Sequence, residues 1–112
     1  MAINLKELEL ARQSYDLLNK QFTALKNLNK ELFSLVEIGI KTQATRIGVG
    51  VEFIALICSS KSHQNEILSS LTLELSEKAH ISYDEMATNI HLYCELFVLR
   101  SNAFNYAYCS GN

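Results

Sequence analysis

His91, Cys94 and Glu95 fall at i, i+3 and i+4, so a helix through them would carry all three on one face. Each is a competent zinc ligand, but zinc takes about four ligands in a tetrahedron. Cys58 or Cys109 would complete the set only if folding brought it close. The expectation is therefore no metal, with Cys94 in the core and His91 hydrogen-bonded near the surface. Glu77-Lys78-Ala79-His80 has the Glu-x-x-His spacing used in di-iron bundles, which need two such elements and two further glutamates. One element is present, at the end of an expected helix, where a histidine suits the negative end of the helix dipole.

Other chemistry finds less support. No serine or cysteine sits in a nucleophile elbow, and no acid–base pair stands out. Gly48-Val49-Gly50 lacks the third glycine and the strand-to-helix setting of a nucleotide loop. Arg100 has no histidine four to six residues downstream, which removes a helical ribonuclease of the Arg-x-His type. Cys58, Cys94 and Cys109 are odd in number and show no CxxC spacing, so they read as reduced and mostly buried thiols. The chain is expected to be no enzyme and to carry no cofactor.

Composition narrows the class. The chain has 112 residues, 48% apolar and 20% charged, with a formal net charge of −2. That is too apolar for disorder, and slightly charge-poor for a small monomer. Lysines and arginines are dispersed, whereas nucleic-acid binding needs a concentrated basic face. Met1–Lys20 has no signal-type apolar core, because Lys6, Glu7, Glu9 and Arg12 interrupt it. The most hydrophobic run, Ile47–Cys58, carries Glu52 and falls short of the ~20 residues that span a bilayer. No membrane or nucleic-acid partner is expected, and the location expected is the cytoplasm.

The elements that would position these residues are helical. There is no proline, and glycines are few. The pattern predicts helices at about 4–38, 43–58, 63–79 and 83–109 within a single domain, 1–112. The first would be a rod of roughly 50 Å, capped by Asn4 with Glu7 three residues on. Its apolar residues form two adjoining stripes: Leu10, Leu17, Leu28 and Leu35, and then Tyr15, Leu18, Phe22, Leu25, Leu32 and Val36. Lys26 and Glu37 fall on the opposite, solvated face. Gly39 reads as the stop. Ile47, Val49, Val51 and Phe53 alternate with Gly48, Gly50 and Glu52, a strand-like period, but a lone strand would have no partner, and helix is the expectation there. Ser59-Ser60-Lys61-Ser62 reads as a turn. Ser82-Tyr83-Asp84-Glu85 is a capping box with two acids in the first turn, and Gly111 is a stop beyond the last helix.

The expected architecture is an all-α, elongated antiparallel bundle of about four helices, two long and two short, completed by dimerisation. The first helix is too long for a compact chain with a radius of gyration of about 13 Å, unless it kinks near Asn27-Leu28-Asn29. The homodimer interface, ~2,000 Å² or more, is expected to take in Tyr93, Phe97 and Phe104 with part of the first helix.

Two functions fit. One is a small interaction protein of adaptor, inhibitor or chaperone type that binds another protein. The alternative is a small-molecule-binding module. Between Met86 and Cys109 only Glu95 and Arg100 are charged, in a stretch rich in aromatics and amides. A pocket along this helix would offer the Tyr93 and Phe97 faces, with Glu95 selecting a cation.

Overall fold

The computed structural model describes residues 4–60 and 66–109. Among them every regular element is helical: α1 (Leu5–Leu28), α2 (Lys30–Ile47), α3 (Val51–Ser59), α4 (Glu66–Ala79) and α5 (Tyr83–Phe104), followed by a π-helical turn, Asn105–Cys109. The fold is all-α, as expected, and is built from five helices where four were expected. It measures 49 × 29 × 24 Å.

The long first rod is two helices. Asn29, with φ −150° and ψ 90°, is extended and belongs to neither. It ends α1 and caps α2, its Oδ1 accepting from the Leu32 N–H at 3.1 Å. The break lets Phe33 fold back on Phe22, ring centroids 5.3 Å apart. A straight helix would keep residues eleven apart about 16 Å distant along its axis. At the start of α1, Asn4 Oδ1 accepts from the Glu7 N–H at 2.8 Å, the cap read from the sequence.

Gly39 does not stop a helix. It lies inside α2, where a Cβ would stand 2.9 Å from Leu75 Cδ1, so its missing side chain lets α2 lie close to α4. The stop falls at Gly48, whose φ of 83° is left-handed. Its N–H, and that of Val49, both return to the Ala44 carbonyl, as in a Schellman-type cap. The expected helix over 43–58 is therefore divided: its first residues finish α2, and α3 starts at Val51 after Gly48-Val49-Gly50. No strand forms over 47–53. Of the turn expected at Ser59-Ser60-Lys61-Ser62, Ser59 ends α3 and Ser60 caps it; its second half, the helix start expected at about His63 and the Gly111 stop lie outside the described residues.

Ser82 starts α5 as read, accepting from the Glu85 N–H at 3.1 Å. α5 packs against all four other helices. It runs antiparallel to α1, since Tyr15 meets Phe104, Asn19 meets Arg100 and Phe22 meets Tyr93. Ile40, Ile54, Leu71, Leu75, Met86 and Ile90 fill the centre of the core.

Candidate functional site

Two features of the seam between α1 and α5 could act on another molecule: an aromatic pocket and an open apolar face. The pocket lies where the chain breaks at Asn29, over the first turns of α5. It encloses about 320 Å³ between Leu25, Leu28, Leu32, Phe33 and Val36 on one side and Glu85, Asn89, Leu92 and Tyr93 on the other. Its walls are apolar with a few polar groups, the composition of a ligand site.

Tyr93 is the floor of this pocket, only 4% exposed. Its ring lies 4.8 Å from that of Phe33, 5.4 Å from Phe22 and 6.2 Å from Phe97. Its hydroxyl donates to Glu37 Oε2 at 3.3 Å. Burial, and then the neighbouring Glu37 carboxylate, push the phenol well above its ordinary pKa. Two cations close the cluster: Arg100 Cζ sits 4.1 Å over the Phe22 ring and Lys26 Nζ 5.8 Å over Phe33. Arg100 also donates to Asn19 Oδ1 at 3.3 Å.

Of the four residues singled out from the sequence, Tyr93 and Phe97 meet. Phe104 stands further along α5 in a separate cluster, 5.4 Å from Tyr15 and 5.1 Å from Tyr108. Glu95 does not join Tyr93. Two residues on, it turns about 200° round the helix, is exposed, and pairs with His91 at 3.0 Å. The carboxylate at the pocket is Glu85, and the one on the phenol is Glu37; the sequence reading assigned neither that place. The only hint was position: Glu85 precedes Asn89 and Tyr93 by four and eight residues on one side of α5.

The zinc arrangement also dissolves. Cys94 turns into the core, away from the surface pair of His91 and Glu95, and is fully buried beside Cys58. A hydrogen bond to Cys58, and then burial, raise the Cys94 pKa and hold its proton. His80 lies past the end of α4 with a left-handed φ of 58°, so Glu77 and His80 do not share a helical face. Among the described residues no group of three or more His, Cys, Asp or Glu could hold a metal.

The second feature is the face beside the pocket. Tyr15, Leu18, Phe22 and Leu25 turn inward from α1. Leu10, Leu17 and Leu28 stay exposed, Leu17 at 59% and Leu28 at 82%. Leu92, Leu99 and Tyr106 are similarly open on α5 and the turn that follows it. Leu10 and Ser14 line a shallow groove with Ala103 and Tyr106 at one end of the seam, and Leu28 meets Leu92 at the pocket at the other. The leucines thus form one face across two helices.

No protein-family model, curated protein or solved structure matches this chain. No helix among the described residues is long and apolar enough to cross a membrane.

Proposed function

We propose that this chain acts by binding protein through the α1–α5 face, as an adaptor or inhibitor does, with no catalytic step. The observation that carries the reading is the row Leu10, Leu17 and Leu28 beside Leu92, Leu99 and Tyr106, all more than two-fifths exposed. Single exposed leucines are ordinary, but a contiguous apolar face marks an interaction site. The buried thiols Cys58 and Cys94 suit a reducing compartment, in keeping with a cytoplasmic place of action. The test compares proteins retained from source-cell lysate by the wild type and by a Leu17→Asp, Leu99→Asp double variant. A partner that binds the wild type when both are purified, and loses at least tenfold in affinity to the double variant, supports the reading. Partners that bind both forms equally would refute it.

A second reading rests on the pocket beside Tyr93: a small-molecule-binding module that takes an apolar body with a cationic head against Glu85. Thermal stabilisation by such amines, lost on Glu85→Gln, would favour it. Equal shifts in both proteins would count against it.

A further inference from the structure

We infer that the first occupant of the α1–α5 face is a second copy of this chain, paired two-fold so that the four helices of the two seams form a joint layer. The inference rests on the protein-binding reading above and names the partner.

The spacing is what helix-on-helix pairing requires. Leu10 and Leu17 are seven residues apart on α1, with Ala24 seven further on, and Leu92, Leu99 and Tyr106 repeat at seven along α5. A seven-residue apolar repeat keeps one face against a neighbouring helix over several turns. Among the described residues none of these side chains belongs to the hydrophobic core, where the inward row of α1 is Tyr15, Leu18, Phe22 and Leu25.

Charge favours self-pairing. Between Leu10 and Leu28 the centre of this side of α1 carries Ser14, Gln21 and Ala24, and between Leu92 and Tyr106 that of α5 carries Leu96 and Ala103; the charges stand at the margins, Lys20 and Glu95 along the outer flanks and Glu7 and Glu85 at the two ends. In a two-fold interface each residue lies near its own copy or near a residue related by symmetry. A charged strip would repel itself there, whereas the centre of this one is uncharged and its marginal charges stay in water. It equally lacks the charge pattern by which a surface selects a different partner.

Area is sufficient. The face is roughly 27 Å long from Leu10 to Leu28 and about two helices, or ~20 Å, wide. Pairing two such faces would bury about 1,000 Å² before the flanks are counted, where stable interfaces begin.

Sedimentation equilibrium from 1 to 100 µM, with circular dichroism on each sample, is the test. Wild type should sediment at twice 12.6 kDa. Leu17→Asp and Leu99→Asp should each weaken pairing at least a hundredfold. Leu73→Asp, at an equally exposed position on α4, should leave it intact; among the described residues α4 makes no packing contact with α1. Should the aspartate variants lose their helix, hydroxyl-radical footprinting of the wild type decides. Leu17, Leu99 and Tyr106 should be several-fold less oxidised at 100 µM than at the lowest concentration, and Leu73 unchanged. A wild-type monomer at 100 µM would overturn the second copy while leaving the face open to a different protein. A dimer that survives both aspartates, or footprinting without protection at these residues, would overturn the inference, while the protein-binding face stands or falls separately on whether a purified partner discriminates the Leu17→Asp, Leu99→Asp double variant.

Discussion

Tyr93 reaches across the core from α5 to α2 and donates its hydroxyl hydrogen to Glu37, which is itself half-exposed and 3.6 Å from Lys41. The bond ties the helix made possible by the Asn29 break to the central helix. It puts the polar end of the aromatic cluster at the edge of the core, where Glu37 keeps contact with water. Tyr93→Phe removes the hydroxyl and keeps the ring packing against Phe33 and Phe22. The expected loss in urea unfolding is about 0.5–1.5 kcal/mol. Tyr93→Ala also empties the floor of the pocket and should cost about 3–5 kcal/mol.

The same pair sets a pH dependence. The Tyr93 phenol is raised in the folded state, first by burial and then by Glu37, so the folded protein holds that proton more tightly than the unfolded chain. The resulting stability is complete below the unfolded tyrosine pKa of about 10 and declines as the pH rises above it. Wild type should therefore lose more stability than Tyr93→Phe between pH 9 and 11. Parallel curves for the two proteins would show that the phenol titrates alike in both states.

Asn29→Ala should destabilise by about 1 kcal/mol, because it removes the cap on the Leu32 N–H and restores helix propensity where a break is needed. Asn29→Asp should hold close to wild type, since its carboxylate can accept the same bond. Thermal unfolding of the three proteins in parallel checks this, and an Asn29→Ala protein as stable as wild type would mean that packing alone sets the break.

What the sequence made legible, and what it hid, follows from these caps. Asn4 with Glu7, and Ser82 with Glu85, mark their helix starts because a side-chain oxygen and a nearby orphan N–H are local in sequence. Asn29 uses the same device, but apolar spacing continues across it through Leu25, Leu28 and Leu32, so periodicity alone runs two helices together. Once they are joined, a single helical wheel puts Glu37 on the solvent face. In the fold the break turns α2 independently and brings Glu37 to Tyr93 and Phe33 to Lys26, which stays exposed as read. Gly39 looked like a stop because nothing local shows Leu75 arriving 2.9 Å from where its Cβ would be. Glu95 and Glu85 are both acidic residues on α5, and which of them meets the aromatic cluster depends on where α1 and α2 dock.

Two left-handed residues should answer in opposite directions. Gly48 ends α2 at φ 83° with open space where a Cβ would stand, so Gly48→Ala meets only the backbone penalty and should destabilise by about 1 kcal/mol. His80 ends α4 at φ 58°, exposed, with the Ile81 N–H returning to the Ser76 carbonyl at 3.2 Å. There, His80→Gly relieves the strained conformation against a smaller loss from the freer unfolded chain, and should stabilise by roughly 0.5 kcal/mol. Chemical denaturation of both variants tests the two conformations, and shifts of the same sign would contradict one of them.

Thiol chemistry should divide the cysteines two to one. Cys109 is exposed in the last turn, whereas Cys58 and Cys94 are fully buried and share a hydrogen bond between α3 and α5. Reaction needs the thiolate and access to it, and Cys94 is denied both. With an aromatic disulfide reagent at pH 8, one equivalent should react within the mixing and settling time of the experiment, as Cys109→Ser would confirm by abolishing that phase. The other two should react only as fast as the core opens, and should therefore speed up with urea along the unfolding curve. A prompt second equivalent would mean that α3 leaves α5 in the native protein, which would also weaken the packing that holds α5 straight beneath the exposed leucine row.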